Sequence, residues 1–504
     1  MNLIATTLFV ALLAGSIETA NILGFLPLPS KSHHVMFERI FKELARRGHD
    51  VDFVSHFPLK NPPKGYNDLS LEGSLKIFVN NLTIDAVRFT SHLDTLNFML
   101  HDCGTEVCKV IFQTDVLKKL KTTKKKYDVI IAEIFGSDCV LGFADLFKIP
   151  IIGVTSSVNL PWGSDRFANP DNPSYIPNYF TEFSPRMNLW ERMWNTVLLL
   201  IAKTQFYWTN YQQTKLAREF FGPQLPDLND LVYNTSLLLV NSHFSMNQAR
   251  PTVPGFVEVG GVHINDPQPL NKHFQDLLTT DTEGIIYLSM GSMVKTESFP
   301  VHKTQAIFDA LEELPFKVVW KANFEEFPKE LRFPKNIHFE KWMPQLDILC
   351  SPNVKLFISH GGLMGSQEAM YCGVPRLGIP IFADQELNIK QAENMGQAIK
   401  VDFEEISKEK ILNAAKELLY NPVYTEKVKE FSDVFKDRPS TPLETSMYWI
   451  EYVIRHKGGH HLKSVATELY WYQYYLLDVG FILLAAFVLS LYLLIKIPRR
   501  LMFR

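Results

Sequence analysis

The sequence predicts an α/β protein: two facing doubly wound domains with a cleft between them, followed by a membrane-spanning helix. Three observations predict it. Short apolar runs alternate with segments of helical spacing in two successive halves of the chain. A stretch punctuated by Pro251, Pro254, Gly255, Gly260, Gly261, Pro267 and Pro269 separates the halves as a linker, with the boundary near residue 265. Near the end, 479–495 is 17 residues without a charge, close to what crosses a hydrocarbon core of about 30 Å at about 1.5 Å per residue.

Length and composition set the frame. A chain of 504 residues has material for two to three domains. Its net charge of −3 carries no basic excess, so nucleic acid is not the implied partner. The 37 Phe suit an apolar ligand pocket and equally any large core. Five Cys (Cys103, Cys108, Cys139, Cys350, Cys372) are too few for a disulfide scaffold, and none stands in CxxC spacing, so a zinc site is not expected. Cys103 and Cys108 are near enough in sequence to bridge in an oxidising compartment.

In order, 3–13 is apolar and is followed by small residues, which reads as a signal peptide covering 1–20. The run 20–26 (ANILGFL) is the first strand, and PLPSKSHH follows as a loop. From 34 to 47, Phe37, Ile40, Phe41 and Leu44 share a helical face; Gly48 ends the helix and 50–54 is the second strand. The first turn is not GxGxxG, which argues against a dinucleotide site and so against a nicotinamide-dependent oxidoreductase. The run 127–132 (YDVIIA) is a buried parallel strand whose end offers Glu133 and, further on, Asp138 ahead of a helix over 139–147. A strand starts within 148–154. Trp190, Trp194, Leu198 and Ile201 are spaced for one helix face, read as core, with an acceptor-pocket wall or a membrane contact as the alternatives.

The run 237–240 is the last strand of the first half. The second half opens with 284–290 (GIIYLSM) and the turn Gly291-Ser292. A helix over 301–314 and strands at 317–320 and 337–339 lead to Trp342. Then 354–359 (VKLFIS) is a buried strand, His360-Gly361-Gly362 a turn, 363–371 a helix, and 374–381 another strand that delivers Asp384 and Gln385. Glycines allow close backbone approach, and a helix N-terminus favours an anion such as a diphosphate. Ligands of open α/β sheets bind at such strand ends.

WMPQ (342–345), SHGG (359–362), Ser366-Gln367-Glu368-Ala369, GVP (373–375) and Asp384-Gln385 stand in the order and spacing of one family signature. This stretch resembles the UDP-glycosyltransferases, membrane-bound enzymes that move a sugar from a UDP-sugar to a small lipophilic acceptor. The resemblance runs from about residue 20 to the membrane span. It includes Ser32-His33 to Arg47-Gly48-His49, Asp437-Arg438-Pro439 and Trp449-Ile450-Glu451 with Arg455-His456-Lys457-Gly458. It implies the GT-B fold, with a signal peptide 1–20, an acceptor-binding domain 21–264, a UDP-sugar-binding domain 265–435, a segment 436–475 returning to the first domain, a transmembrane helix 476–497 and a cytosolic tail 498–504.

The resemblance also assigns residues. His33, with His34 as the neighbour to distinguish from it, is the implied base that takes the proton of an acceptor hydroxyl. Asp138 is its implied partner, with Glu133 as the alternative; Asp138 as a helix N-cap is compatible with either. Trp342 would stack on uracil, Gln345 bond the uridine edge, His360, Gly361, Gly362, Ser366 and Ser292 hold the diphosphate, Glu368 accept from the ribose, and Asp384 and Gln385 bind the sugar. Each side chain is chemically suited to its task. The implied reaction is an inverting hexosyl transfer, with UDP-glucose favoured, as in detoxification or conjugation. UDP-glucuronate is the alternative donor, and a catalytically silent UDP-sugar-binding membrane protein the alternative class. UDP-sugar is a co-substrate; no cofactor or metal is expected.

Trp471, Tyr472, Tyr474 and Tyr475 before the span, and Lys496, Arg499, Arg500 and Arg504 after it, frame a single-pass helix with the body lumenal. Sequons at Asn81 and Asn234 agree with that side. Residence in the endoplasmic reticulum membrane follows from the resemblance only. A homo-oligomer stays open.

Overall fold

The computed structural model describes residues 19–88, 91–279 and 282–502; residues 1–18 of the expected signal peptide lie outside them. Strands β1 Asn21–Phe25, β2 Asp50–Ser55, β3 Tyr66–Ser70, β4 Val129–Glu133, β5 Ile151–Thr155, β6 Thr235–Val240 and β7 Phe256–Glu258 form one sheet. Its order is β3-β2-β1-β4-β5-β6-β7, with every pair parallel. The central strands β4, β5 and β6 are buried at every position, which is why they read as unbroken apolar runs. The edges β3 and β7 are not among the expected strands. YNDLS in β3 is mostly half-exposed, and a short polar edge strand lacks the apolar signal of a central one.

The second sheet holds β8 Ile285–Ser289, β9 Lys317–Lys321, β10 Ile337–Glu340, β11 Val354–Ser359, β12 Arg376–Gly378 and β13 Ala398–Lys400. Their order is β10-β9-β8-β11-β12-β13, again all parallel. The strand expected over 374–381 is only three residues long. Pro375 and Pro380 bracket it, and proline cannot donate to a ladder.

Six helices shape the cleft and its flanks: α1 Lys31–Arg46, α2 Leu189–Phe221, α3 Leu363–Tyr371, α4 Gln385–Asn394, α5 Pro442–Arg455 and α6 Leu477–Met502. α1 buries Phe37, Ile40, Phe41 and Leu44 as its spacing predicts, but starts at Lys31, so His33 lies in its first turn rather than in a loop. α5 packs Met447, Ile450 and Val453 into the core of the first sheet, and Arg47 bridges it through Glu444 at 2.5 Å and Glu451 at 3.2 Å. In the other direction, Ile84 and Val87 of the first half are buried in the core of the second sheet. Asn80 N–H donates to Ser292 O, and Lys295 N–H to Leu82 O, each at 2.8 Å. The two sheets are therefore held together by chain that crosses in both directions.

Two expectations are corrected by the fold. The bridge considered for Cys103 and Cys108 is not formed; Cys108 pairs with Cys139 and Cys350 with Cys372, leaving Cys103 as a free thiol. The aromatic stripe of α2 is not core or pocket wall throughout: Leu198 is buried, but Trp190 is 70% exposed and Trp194 46%.

Candidate active site

In each sheet the chain order reverses between two neighbouring strands: β1 and β4 in the first, β8 and β11 in the second. Crevices open at such switch points, at the carboxyl ends of the strands. Here both face one cavity of about 460 Å³, lined by residues that follow β1, β4, β8 and β11.

On the first side, β1 leads into the first turn of α1 and presents His33. β4 ends at Glu133, which is buried. His33 Nδ1 lies 2.6 Å from Glu133 Oε1. Ser156 Oγ, just past β5, donates to the same carboxylate oxygen at 2.9 Å and is 2.9 Å from His33 Nδ1. Phe135 stands edge-on to the imidazole, with centroids 5.0 Å apart. Burial pulls the His33 pKa down, but the charge of Glu133 and the hydrogen bond to it outweigh burial and leave it raised. With Nδ1–H held by a carboxylate, Nε2 keeps the lone pair that can take a proton.

Its neighbour His34 points the other way. It is fully buried, stacked on Phe53 at 5.7 Å and 3.2 Å from Glu38. A one-residue step on a helix turns a side chain by about 100°, which puts His34 in the core.

Asp138 is not the histidine's partner. Arg166 Nη2 donates to both its carboxylate oxygens at 2.7 and 2.8 Å, and Asn210 Nδ2 to one at 3.0 Å. Nor does its side chain cap the helical turn that follows. The reason is topological: β4 ends at Glu133, so that carboxylate sits at the switch point. Asp138 lies five residues on, where it ties the turn after β4 to α2.

The second side is built on two glycine turns. Gly291 after β8 has φ +80°, and a Cβ there would meet His360 Cε1 at 2.6 Å. Gly361 after β11 has φ +83°, and a Cβ would meet Ile389 at 2.4 Å. Both positions therefore need glycine, sterically and conformationally. α3 begins at once, with no side-chain cap on its first N–H groups, and Gly362, Leu363, Met364 and Gly365 line the cavity. An uncapped N-terminus facing a cavity is a ready anion site. His360 beside it is driven down to about 4 by burial, with the charge of Lys321 adding to the effect. It is thus a neutral hydrogen-bonding group rather than a cation.

Of the other expected residues, Ser292, Trp342, Gln345, Glu368, Asp384 and Gln385 all line the same cavity. Gln345 is oriented from both ends: its Nε2 donates to Glu368 Oε2 at 2.6 Å, and Tyr287 Oη donates to its Oε1 at 3.3 Å. Burial pushes Glu368 up to about 7, against the Gln345 hydrogen bond. Gln385 Oε1 accepts from the N–H groups of Ile381 and Phe382 at 2.9 and 3.1 Å, so its carbonyl closes the loop and its amide nitrogen is what remains for a ligand. Asp384 follows Ala383, whose φ is +58°; burial raises its carboxyl, which Asn388 and the charge of His33 oppose.

Ser366 is a correction. It is buried and does not line the cavity, and its carbonyl accepts from Arg376 at 3.2 Å. On α3, Gly365 and Glu368 are three apart and share the cavity face, so Ser366 between them is turned away. Of the sequon residues, Asn234 is exposed, whereas Asn81 is half-buried with Nδ2 donating to Ile77 O at 2.8 Å.

Lys321 and His263 also line the cavity and are not among the residues expected from the sequence. Lys321 at the end of β9 donates to Gly291 O at 2.7 Å and lies 4.8 Å from the centroid of the Trp342 ring; burial lowers it to about 8. His263, in the linker, sits 3.6 Å from Glu368 and is lowered to about 4 by burial. The rule that ligands gather at strand ends would have found Lys321. Nothing in the linker's composition marks His263. Among the described residues no group of three or more His, Cys, Asp and Glu is placed to hold a metal ion.

Two doubly wound sheets facing one cleft, with an uncapped helix N-terminus on one side and a carboxylate-held histidine on the other, define a GT-B glycosyltransferase. Solved structures agree on the fold: a crystal structure of the glycotransferase of kitacinnamycin matches with a TM-score of 0.56 at 17% identity, over 87% of this chain and 99% of that one. The chain belongs to the UDP-glucuronosyl and UDP-glucosyl transferase family, whose model matches residues 26–504. It is 38% identical to UDP-glucosyltransferase 2 of Dactylopius coccus over 489 residues, 96% of this chain and 94% of that one. It is 31% identical to UDP-glucuronosyltransferase 2B15 of Homo sapiens, over 92% and 90% of the two chains. The protein is therefore an enzyme that transfers a hexosyl group from a UDP-sugar.

Proposed function

We propose that the enzyme transfers glucose from UDP-glucose to a hydroxyl of a small lipophilic acceptor with inversion, using His33 as general base and Glu133 as its partner. The observation that carries this reading is the His33–Glu133 contact of 2.6 Å, which faces the α3 N-terminus across one cavity. His33 takes the acceptor proton on Nε2 as the oxygen attacks the anomeric carbon opposite the diphosphate. Glu133 stabilises the imidazolium that forms. The leaving diphosphate is met by the amides of α3, by the neutral His360 and by the Lys321 ammonium. Glu368 accepts from the ribose, Trp342 stacks on uracil beside Gln345, and Asp384 with the Gln385 amide holds the sugar hydroxyls. Phe98, Met99, Phe135 and Tyr179 supply the apolar wall for the acceptor.

Three further readings belong with this one. Residues 265–435 are the donor domain and 21–264 the acceptor domain, supported by where the two half-sites fall. α6, whose stretch Leu477–Lys496 is long and apolar enough to cross a membrane, with its apolar window unburied, anchors the enzyme. The membrane is that of the endoplasmic reticulum, with the body lumenal.

The test is a donor screen on membranes from cells expressing the chain: UDP-glucose, UDP-glucuronate and UDP-galactose, each with a panel of phenols, products weighed by mass spectrometry. A hexose adduct from UDP-glucose is expected. A glucuronide, the outcome that the human relative's name favours, would keep the mechanism and overturn the donor.

The pH profile and the donor affinity supply two more tests. kcat/KM is expected to rise with pH through the raised pKa of His33, because only the neutral imidazole accepts the proton, and to fall away below it. In Glu133→Gln the charge that raises this pKa is gone, so the acidic limb moves to lower pH; a limb that stays in place would show that His33 is not the titrating base. Lys321→Met is expected to raise the donor KM by about 10–100-fold, the loss of one charged hydrogen bond of about 1.5–3 kcal/mol, with acceptor KM little changed. An unchanged donor KM would remove Lys321 from the diphosphate site.

A further inference from the structure

α2 presents an outer face that a water-facing helix does not have. From Leu189 to Tyr211 its exposed side chains include Trp190, Met193, Trp194, Leu200, Tyr207 and Trp208, between 46% and 70% exposed. The charged residues of that stretch are Glu191, Arg192 and Lys203, and none of them is on this face. Glu191 closes the capping box with Asn188, Arg192 donates to Met187 O at 2.7 Å, and Lys203 is held by Asp165 and Asp171, each at 2.5 Å. Charge returns to the exposed positions only beyond Tyr211, at Lys215 and Glu219. The apolar face thus runs about 33 Å, at about 1.5 Å per residue, with the usual pattern of charges outward and apolar groups inward reversed.

The segment entering the anchor lies against the same region. Ser164–Phe167 packs on Val465–Glu468, Lys463 Nζ donates to Tyr233 O, and Tyr474 lies in the field of Asp165, Asp171 and Lys203. Tyr470, Trp471 and Tyr475 are exposed there, immediately before α6. The chain that leads into α6 therefore lies beside α2.

We propose that the outer face of α2, from Leu189 to Tyr211, lies in the membrane interface as a second, non-spanning contact of the body with lipid. This rests on the anchor reading of α6. Trp and Tyr suit the headgroup boundary, Leu and Met the acyl side, and a charge-free face removes the desolvation cost of insertion. The inner side of the same helix stacks Phe206 on Trp162 at 4.5 Å, in the apolar cluster that includes the cavity-lining Met99 and Tyr179. The acceptor wall is thus one helix away from the lipid.

The test uses the full chain in lipid nanodiscs with a nitroxide at one engineered cysteine, Cys103 being replaced by Ser. Met193→Cys and Leu200→Cys report on the α2 face, Leu484→Cys on the anchor, and Val434→Cys on an exposed site of the donor domain. Expected at 193 and 200 is an oxygen-to-nickel-complex accessibility ratio several-fold above that at 434 and approaching that at 484. A ratio like that at 434, with 484 reading lipid, would overturn the α2 proposal alone. Exclusion of both reagents at 193 and 200 would mean protein contact, such as a second copy, and overturn it too. A water-like value at 484 would overturn the anchor reading, and this proposal with it.

Discussion

His33→Ala is expected to lose about 10²–10⁴-fold in kcat, the usual contribution of a positioned general base, while UDP binding measured by calorimetry is retained. The separation follows from geometry. His33 belongs to α1 of the first sheet, and the groups proposed to recognise UDP line the cavity from the second: Trp342, Gln345, Glu368 and the α3 N-terminus. On the proposed roles, removing the imidazole leaves those contacts in place and takes away only the acceptor of the proton. Near-normal turnover would sink the assignment. Parallel loss of UDP binding would mean that His33 acts in assembling the cleft rather than in proton transfer. His34→Ala should behave differently again: that ring fills core beside Phe53, so its loss lowers stability with little direct effect on the chemical step.

The second large effect separates two carboxylates that are five residues apart. Glu133→Gln keeps a hydrogen-bonding amide beside His33 and Ser156 but removes the negative charge. kcat is expected to fall by up to about 10⁴-fold, as when the orienting acid of a Ser-His-Asp triad is replaced by its amide, with thermal inactivation little changed. Asp138→Ala should do the reverse. It strands the Arg166 guanidinium, only 1% exposed, without its carboxylate; breaking a buried pair this way costs about 3–5 kcal/mol. The enzyme should inactivate at a lower temperature, while the fraction that stays folded turns over near the normal rate. Fresh-enzyme kcat and inactivation temperature, measured on both variants, decide the matter. A kcat collapse in Asp138→Ala with unchanged stability would return the catalytic role to Asp138.

Much of this site is legible in one dimension because its chemistry is local. The strand 354–359, the turn at Gly361 and the helix from Leu363 are contiguous, so the run of residues alone predicts an anion-binding N-terminus. The same holds for Trp342 with Gln345 and for Asp384 with Gln385. Each pair sits on one turn of chain, and the cavity receives all four. Ser366 departs from expectation within that same stretch, because its placement depends on which face of α3 meets the cleft, and the serine is one residue off the Gly365–Glu368 face.

The alternation of apolar strands and amphipathic helices, the linker, the donor signature and the terminal apolar span are properties of neighbours in sequence, and the sequence by itself determines them. Periodicity and turn chemistry act over a few residues and do not wait for the fold. Which carboxylate meets His33 was decided only by the tertiary structure: Glu133 and His33 are 100 positions apart, brought together because β1 and β4 are adjacent where strand order reverses. The same is true of the Cys108–Cys139 and Cys350–Cys372 pairings and of the placement of Lys321 beside Trp342. It is true as well of α2, where helical spacing aligns Trp190 and Trp194 but cannot say whether core, pocket or solvent lies opposite them. Burial and long-range pairing are relations between distant segments, and only the packed chain assigns them.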